Sequence, residues 1–188
     1  MAKTPSIMPA LGGKAPYFSL PDVISGEIIK LDAIMKYKQG LLVMFICNHC
    51  PFVVHVKDEL VNIGNDYVSD LAIVAISSND VEQYPEDAPD KMREFADINK
   101  FPFPYLYDAS QEVAKAFQAA CTPDFFLYDQ DLKLVYRGQL DDARPGNQER
   151  VSGNDLRNAI DALLGGTPLS DNQKPSLGCN IKWKDCVL

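Results

Sequence analysis

Six consecutive apolar residues, Leu41-Leu42-Val43-Met44-Phe45-Ile46, run without a polar interruption into Cys47-Asn48-His49-Cys50. An apolar run of that length, bounded by Gly40, predicts a central strand buried on both faces. After Pro51 the pattern changes. Val53, Val56, Leu60, Ile63 and Tyr67 recur in steps of three and four, which lays them along one stripe of a long helix. Residues 71–76 form a second continuous apolar run, and so a second buried strand. Strand, helix and strand in this order predict a parallel pair joined by a right-handed crossover, and hence an α/β fold.

The remaining segments fit around that unit. Residues 1–16 are rich in proline and glycine and read as an arm leading to a short strand at 17–20, with a turn at Gly26. Residues 79–90 carry acidic groups and prolines and read as a polar loop before a helix over 91–99. A short strand at 105–107 and a helix over 111–119 follow. Residues 125–128 and 133–136, separated by Asp- and Gln-rich turn residues, read as an antiparallel hairpin closing the sheet. A last helix over 155–164 stops at Gly165-Gly166. We therefore expect one domain over residues 1–164 and a tail over 165–188 packed on it.

Composition narrows the function. With 188 residues, 46% of them hydrophobic, the chain can bury a sizeable core. The 26 Asp and Glu against 18 Lys and Arg give a formal charge of -8, and no basic cluster offsets it, which argues against nucleic acid as a partner. No segment approaches the ~20 apolar residues of a membrane span, so no membrane partner is expected. The N-terminus lacks the apolar run of a signal peptide, and the five cysteines (47, 50, 121, 179 and 186) are an odd set unsuited to a purely structural disulfide framework. Both points lead us to expect a cytoplasmic protein with functional thiols.

A Cys-x-x-Cys between a buried strand and the first turn of a helix is well placed for redox work, because the unpaired backbone N–H groups there favour a thiolate. Lowering a thiol from ~8.5 to ~7 raises its anionic fraction at neutral pH from about 3% to about half, for roughly 2 kcal/mol of differential stabilisation. His49 and Asn48, between the cysteines, are the candidate pKa-tuning groups, although a histidine here also fits a plain solvated role. Two other readings stand beside the redox one: a pair of buried structural cysteines, and a zinc site using Cys47, Cys50 and His55. The zinc set is one ligand short, and His55 turns away from Cys50 on the helix, so no metal is expected.

Three segments in order resemble the redoxin, or AhpC/TSA, branch of the thioredoxin-like superfamily. They are Gly13-Lys14-Ala15-Pro16-Tyr17-Phe18-Ser19-Leu20, the cysteine pair after its strand, and Thr122-Pro123-Asp124-Phe125-Phe126-Leu127-Tyr128-Asp129. The resemblance implies a central mixed sheet flanked by helices, with an N-terminal extension, an insertion before the cis-proline strand and a C-terminal tail. It also implies a cis bond at Pro123, which would expose the backbone of Thr122 for pairing with an extended substrate. Departures from the pattern are visible. Ile46 stands where thioredoxins carry tryptophan, and the apolar strand lacks their buried proton-accepting acid. Pro51 after Cys50 looks like peroxiredoxins, yet Cys47 occupies the place of their peroxide-binding threonine.

The expectation is a thiol-disulfide oxidoreductase in which Cys47, taken as the more exposed thiol, attacks a protein or small-molecule disulfide and Cys50 resolves the mixed disulfide. It needs an external thiol reductant and no cofactor beyond its own redox-active disulfide. A peroxiredoxin-like thiol peroxidase and a redox-inactive binding module of the same fold are the competing classes. Cys121 reads either as an extra redox thiol or as a core cysteine. In the tail, Cys179 reads either as a further resolving thiol anchored by Trp183 or as a reduced cysteine beside a packing tryptophan, and Cys186 as incidental.

Overall fold

The computed structural model describes residues 3–184. Along the chain run β1 (Lys3–Pro5), β2 (Ser19–Pro21), β3 (Ile28–Lys30), α1 (Leu31–Ile34), β4 (Gly40–Phe45), α2 (Pro51–Tyr67) and β5 (Leu71–Ser77). A single 3-10 turn, Pro85–Asp87, precedes α3 (Pro89–Asn99), β6 (Tyr105–Tyr107), α4 (Glu112–Phe117), β7 (Cys121–Thr122), β8 (Asp124–Asp129), β9 (Leu134–Gly138), α5 (Asn154–Leu164) and β10 (Leu177–Asn180).

The central sheet has the order β6-β5-β4-β8-β9. β4 pairs parallel with β5 and antiparallel with β8, so Leu42 lies between Ile73 and Leu127. Every residue of β4 is buried. Its alternate side chains feed two cores. Leu42 and Met44, with Ile46 just beyond the strand, pack against Val53, Val56, Leu60 and Ile63 of α2 and Leu156 and Ile160 of α5. Leu41, Val43 and Phe45 pack on the other face against Phe18, Phe117 and Phe126. This two-sided burial is why the run carries no polar residue.

The helix that follows starts where the sequence requires. Cys50 is the extended N-cap of α2 and Pro51 takes the first helical position, where its missing N–H costs nothing. On the buried stripe Gly64 makes room for the preceding segment of β6: a Cβ there would fall 2.5 Å from Pro102 and 2.7 Å from Phe103.

Three short strands depart from the sequence reading. The strand expected at 17–20 is shifted to Ser19–Pro21 and forms a hairpin with β3 about the turn at Gly26. The N-terminal arm contains β1, and the tail contains β10. These two pair with each other, and β10 pairs on its other side with β7, giving a second sheet of order β1-β10-β7. Trp183 is not the anchor of the tail, since it is 40% exposed while Ile181 is 1% exposed. Ile181 takes that place: it donates its backbone N–H to Ala120 O and joins the buried cluster that includes Phe117 and Phe126. Cys186 lies outside the described residues.

Asp124 secures the small sheet from beneath. It is fully buried at the start of β8, and accepts the hydroxyl of Ser6, just after β1, at 3.0 Å. The Ser176 hydroxyl, just before β10, also reaches it. Burial nevertheless dominates and pushes its carboxyl up to about 7. A folded state that holds this proton more tightly than the unfolded chain loses stability as pH rises from about 4 to about 7, and not beyond. Asp124→Asn is therefore expected to match the parent near pH 4 and to exceed it increasingly up to pH 7. Urea unfolding of both proteins across that range checks this, and parallel pH profiles would refute it.

Candidate active site

The end of β4 and the start of α2 place Cys47 and Cys50 against the segment between β7 and β8. The Thr122–Pro123 bond is cis. Thr122 meets both sulfurs: its Oγ1 lies 3.3 Å from Cys47 Sγ, and its carbonyl oxygen lies 3.2 Å from Cys50 Sγ, to which the protonated thiol donates. The four described cysteines, Cys47, Cys50, Cys121 and Cys179, are all reduced. Cys47, read from sequence as the more exposed thiol, is 1% exposed and Cys50 is 0% exposed.

The charge falls on the other sulfur from the one sequence position suggests. Cys50 is lowered, first because the Cys47 thiol donates to it, then by the thiol of Cys179 and by the backbone N–H groups of Val53 and Cys179, against the effect of burial. Cys47 is raised. It gives its hydrogen to Cys50, burial disfavours its anion, and the Asp87 carboxylate repels it, with only the Thr122 hydroxyl working the other way. One anion shared between two touching sulfurs settles on the one at the helix N-terminus, where donors converge.

Asp87 is the functional residue that the sequence reading missed. The segment read as a polar loop forms the 3-10 turn between Pro85 and Pro89, and this turn drives Asp87 inward to zero exposure. Its Oδ1 accepts the Asn48 N–H at 2.8 Å, and its Oδ2 accepts Asn79 Nδ2 at 2.7 Å and lies 2.7 Å from His49 Nδ1. Burial pushes this carboxyl up, but those contacts outweigh it and hold it below its ordinary value. The same contact is the main cause that raises His49, against partial burial. The one clue in the sequence was an acid held between two prolines, which fix the backbone around it.

His49 also stacks on Tyr84, with ring centroids 5.9 Å apart, and Lys182 Nζ lies over the Tyr84 ring, 5.5 Å from its centroid. Together with Glu86 and Asn180 they line an open pocket of about 360 Å³ on the His49 side of the loop. Asn48 positions the loop: its Nδ2 donates to Glu86 O at 3.0 Å, and its Oδ1 accepts the Tyr105 hydroxyl at 3.1 Å. Cys121 is buried with its thiol toward Pro123 O, and burial first, then the Asp124 charge, pushes that thiol up. Among the described residues, the ligand atoms of Cys47, His49 and Asp87 lie within 4.8 Å of one another. This trio differs from the Cys47, Cys50 and His55 set considered above. It is one donor short of a closed zinc site, and both Asp87 oxygens are already engaged.

Residues 11–137 match the profile of the AhpC/TSA family. No protein of curated function matches the chain. Among solved structures, an uncharacterized conserved protein from Geobacillus kaustophilus is 54% identical with a TM-score of 0.96, over 100% of this chain and 99% of that one. The thioredoxin domain of a thiol-disulfide oxidoreductase from Bacteroides vulgatus gives a TM-score of 0.62 at 18% identity, over 81% and 96% of the two chains. Peroxidoxin BcpB from Mycobacterium tuberculosis gives 0.61 at 19% identity, over 82% and 96%. The last two share the fold alone, which is thioredoxin-like.

The His49–Asp87 pair is at full strength between the depressed pKa of the carboxyl and the raised pKa of the imidazole. It weakens as pH rises through the latter. Removing the charge with Asp87→Asn is expected to return the imidazole toward ~6.5 and to lower the Cys47 thiol, because its repelling neighbour is gone. NMR titration of the His49 ring checks this, and an unchanged His49 titration would contradict it.

Proposed function

The chain belongs to the AhpC/TSA family, and from that premise we propose that it is a thiol-disulfide oxidoreductase working through Cys47 and Cys50. The observation that carries this reading is the pair of reduced, buried sulfurs at the entry to α2, both held against Thr122 beside the cis Pro123. The order of attack is the reverse of the one read from sequence position. The Cys50 thiolate attacks a sulfur of the substrate disulfide and expels the other as a thiolate. Cys47 then loses its proton and attacks Cys50 Sγ, which releases the second substrate thiol and leaves a Cys47–Cys50 disulfide. Two electrons pass from the dithiol to the substrate, and an external thiol reductant restores the pair.

Asp87 and His49 stand where Cys47 must give up its proton, and so supply the acid–base function that the wholly apolar β4 does not. The thiol chemistry suits the cytoplasm, as does the odd number of cysteines. No described helix is long and apolar enough to cross a membrane.

One observation also favours the peroxidase reading: the lowered thiol is Cys50, the cysteine directly followed by proline. A peroxide would oxidise Cys50 to a sulfenic acid, releasing an alcohol or water, and Cys47 would condense with it to the same disulfide with loss of water. The Thr122 hydroxyl, however, contacts Cys47 rather than Cys50.

Insulin-disulfide reduction and hydrogen-peroxide consumption separate these activities. The parent is expected to reduce insulin faster than it consumes peroxide, and the opposite order would favour the peroxidase. Cys50→Ser should lower insulin reduction by about 100-fold or more, the ratio of thiolate fractions between an activated and an ordinary buried thiol at pH 7. With Cys179 also replaced by serine, Cys47→Ser should instead accumulate a mixed disulfide on Cys50, visible by mass spectrometry. Trapping on Cys47 in Cys50→Ser would invert the assignment of roles.

A further inference from the structure

The backbone edge of Thr122 is already occupied. β10 runs antiparallel to β7 with Cys179 opposite Thr122 and Asn180 opposite Cys121. Gly178 sits so close over the edge that a Cβ would fall 2.0 Å from the Thr122 carbonyl oxygen, so only glycine fits. That approach carries Cys179 down onto the cysteine pair, where it is buried and its thiol donates to Cys50. Leu177 lies with Phe52, Val56 and Pro123 around the small groove alongside. Beyond the strand, the Lys182 N–H donates to Asn79 Oδ1 at 2.8 Å and the Lys184 N–H to Gln111 Oε1 at 2.9 Å. Cys50 is thus approached by two thiols, Cys47 from its own loop and Cys179 from β10, both giving their hydrogen to the same sulfur.

Resting on the reading of Cys47 and Cys50 as an exchange pair, we propose that Cys179 is its third exchange thiol, and that β10 is a tethered internal substrate held on the edge where an external disulfide pairs. Once turnover has left a Cys47–Cys50 disulfide, the Cys179 thiolate attacks Cys50 Sγ. The bond to Cys47 breaks, and Cys47 departs with the electron pair and takes up a proton in place of the one that Cys179 gave up. One disulfide replaces another, so no electrons enter or leave and no further oxidant is needed. In the reduced protein Cys179 is raised by burial, and also by its hydrogen bond to Cys50 and the charge there. The last two causes vanish when Cys50 is part of a disulfide, which eases the attack. The product fixes β10 across the site and returns Cys47 as the thiol beside Asp87.

The test is limited oxidation of the full chain with diamide, then alkylation and non-reducing peptide mapping, with insulin turnover measured in parallel. The parent is expected to yield both Cys47–Cys50 and Cys50–Cys179 peptides, and Cys179→Ser only the first. Cys47→Ser should lose two of its four thiols to an intramolecular Cys50–Cys179 bond. A parent that yields Cys47–Cys50 alone, with Cys50 and Cys179 of Cys47→Ser staying reduced or linking two chains, overturns the proposal while leaving the exchange reading intact. If neither the Cys47–Cys50 peptide nor insulin reduction appears, the exchange reading itself fails and this proposal falls with it. The parent's own map decides the matter even if a variant does not fold.

Discussion

Thr122 is a short contact point on which three separate parts of the chain converge. Its hydroxyl touches Cys47, its carbonyl touches Cys50, and its main chain pairs with β10. Each of those groups is set by a different element: the cysteines by the end of the buried β4 and the start of α2, the strand by a tail anchored at Ile181, and Thr122 by the entry to β8. Backbone groups in a buried site must be paired with something, and here the partner is the protein's own C-terminal segment. That requirement explains why β10 can be so short and still be held. It satisfies an edge that would otherwise face either solvent or a substrate.

The electrostatics follow from the same crowding. Three sulfurs and a carboxylate share a space nearly closed to water, and such a space tolerates little net charge. One negative charge resides on Asp87, balanced by His49 when the imidazole is protonated, and a second settles on Cys50 where hydrogen-bond donors are concentrated. Cys47 lies between the two anions and keeps its proton. His49 of the Cys-Asn-His-Cys segment is thus paired with a carboxylate delivered from another loop.

The elements with strong periodicity were legible in the sequence: β4 and β5 from their unbroken apolar runs, α2 from its stripe, and β8 and β9 from the hairpin pattern. The cysteine pair, Thr122 and Pro123 stand out in the sequence by motif and position, whereas the contacts of Thr122 with both sulfurs are seen only in the structure. What could not be read had no period to carry it. β1 and β10 are three and four residues long, and β1 has no fully buried residue, so neither presents an alternation long enough to recognise. Asp87 was hidden because an acid flanked by other acids in a proline-bounded loop looks solvated until the turn that buries it is seen. Trp183 misled because size suggests burial, whereas Ile181, two positions earlier, is the tail residue that joins the core cluster of Phe117 and Phe126.

A cover made of β1 and β10 joins the two ends of the described chain, far apart in sequence, through a handful of backbone hydrogen bonds. Segments of this kind open as small cooperative units well below the free energy of global unfolding. On the exchange reading, admission of a bulky disulfide to the thiols would be governed by how often this flap lifts. At high substrate concentration the rate of capture reaches a ceiling equal to that opening rate, whereas a molecule small enough to slip past the flap escapes the ceiling. Selectivity by size would thus arise from a local unfolding equilibrium, with no pocket shaped to measure the substrate.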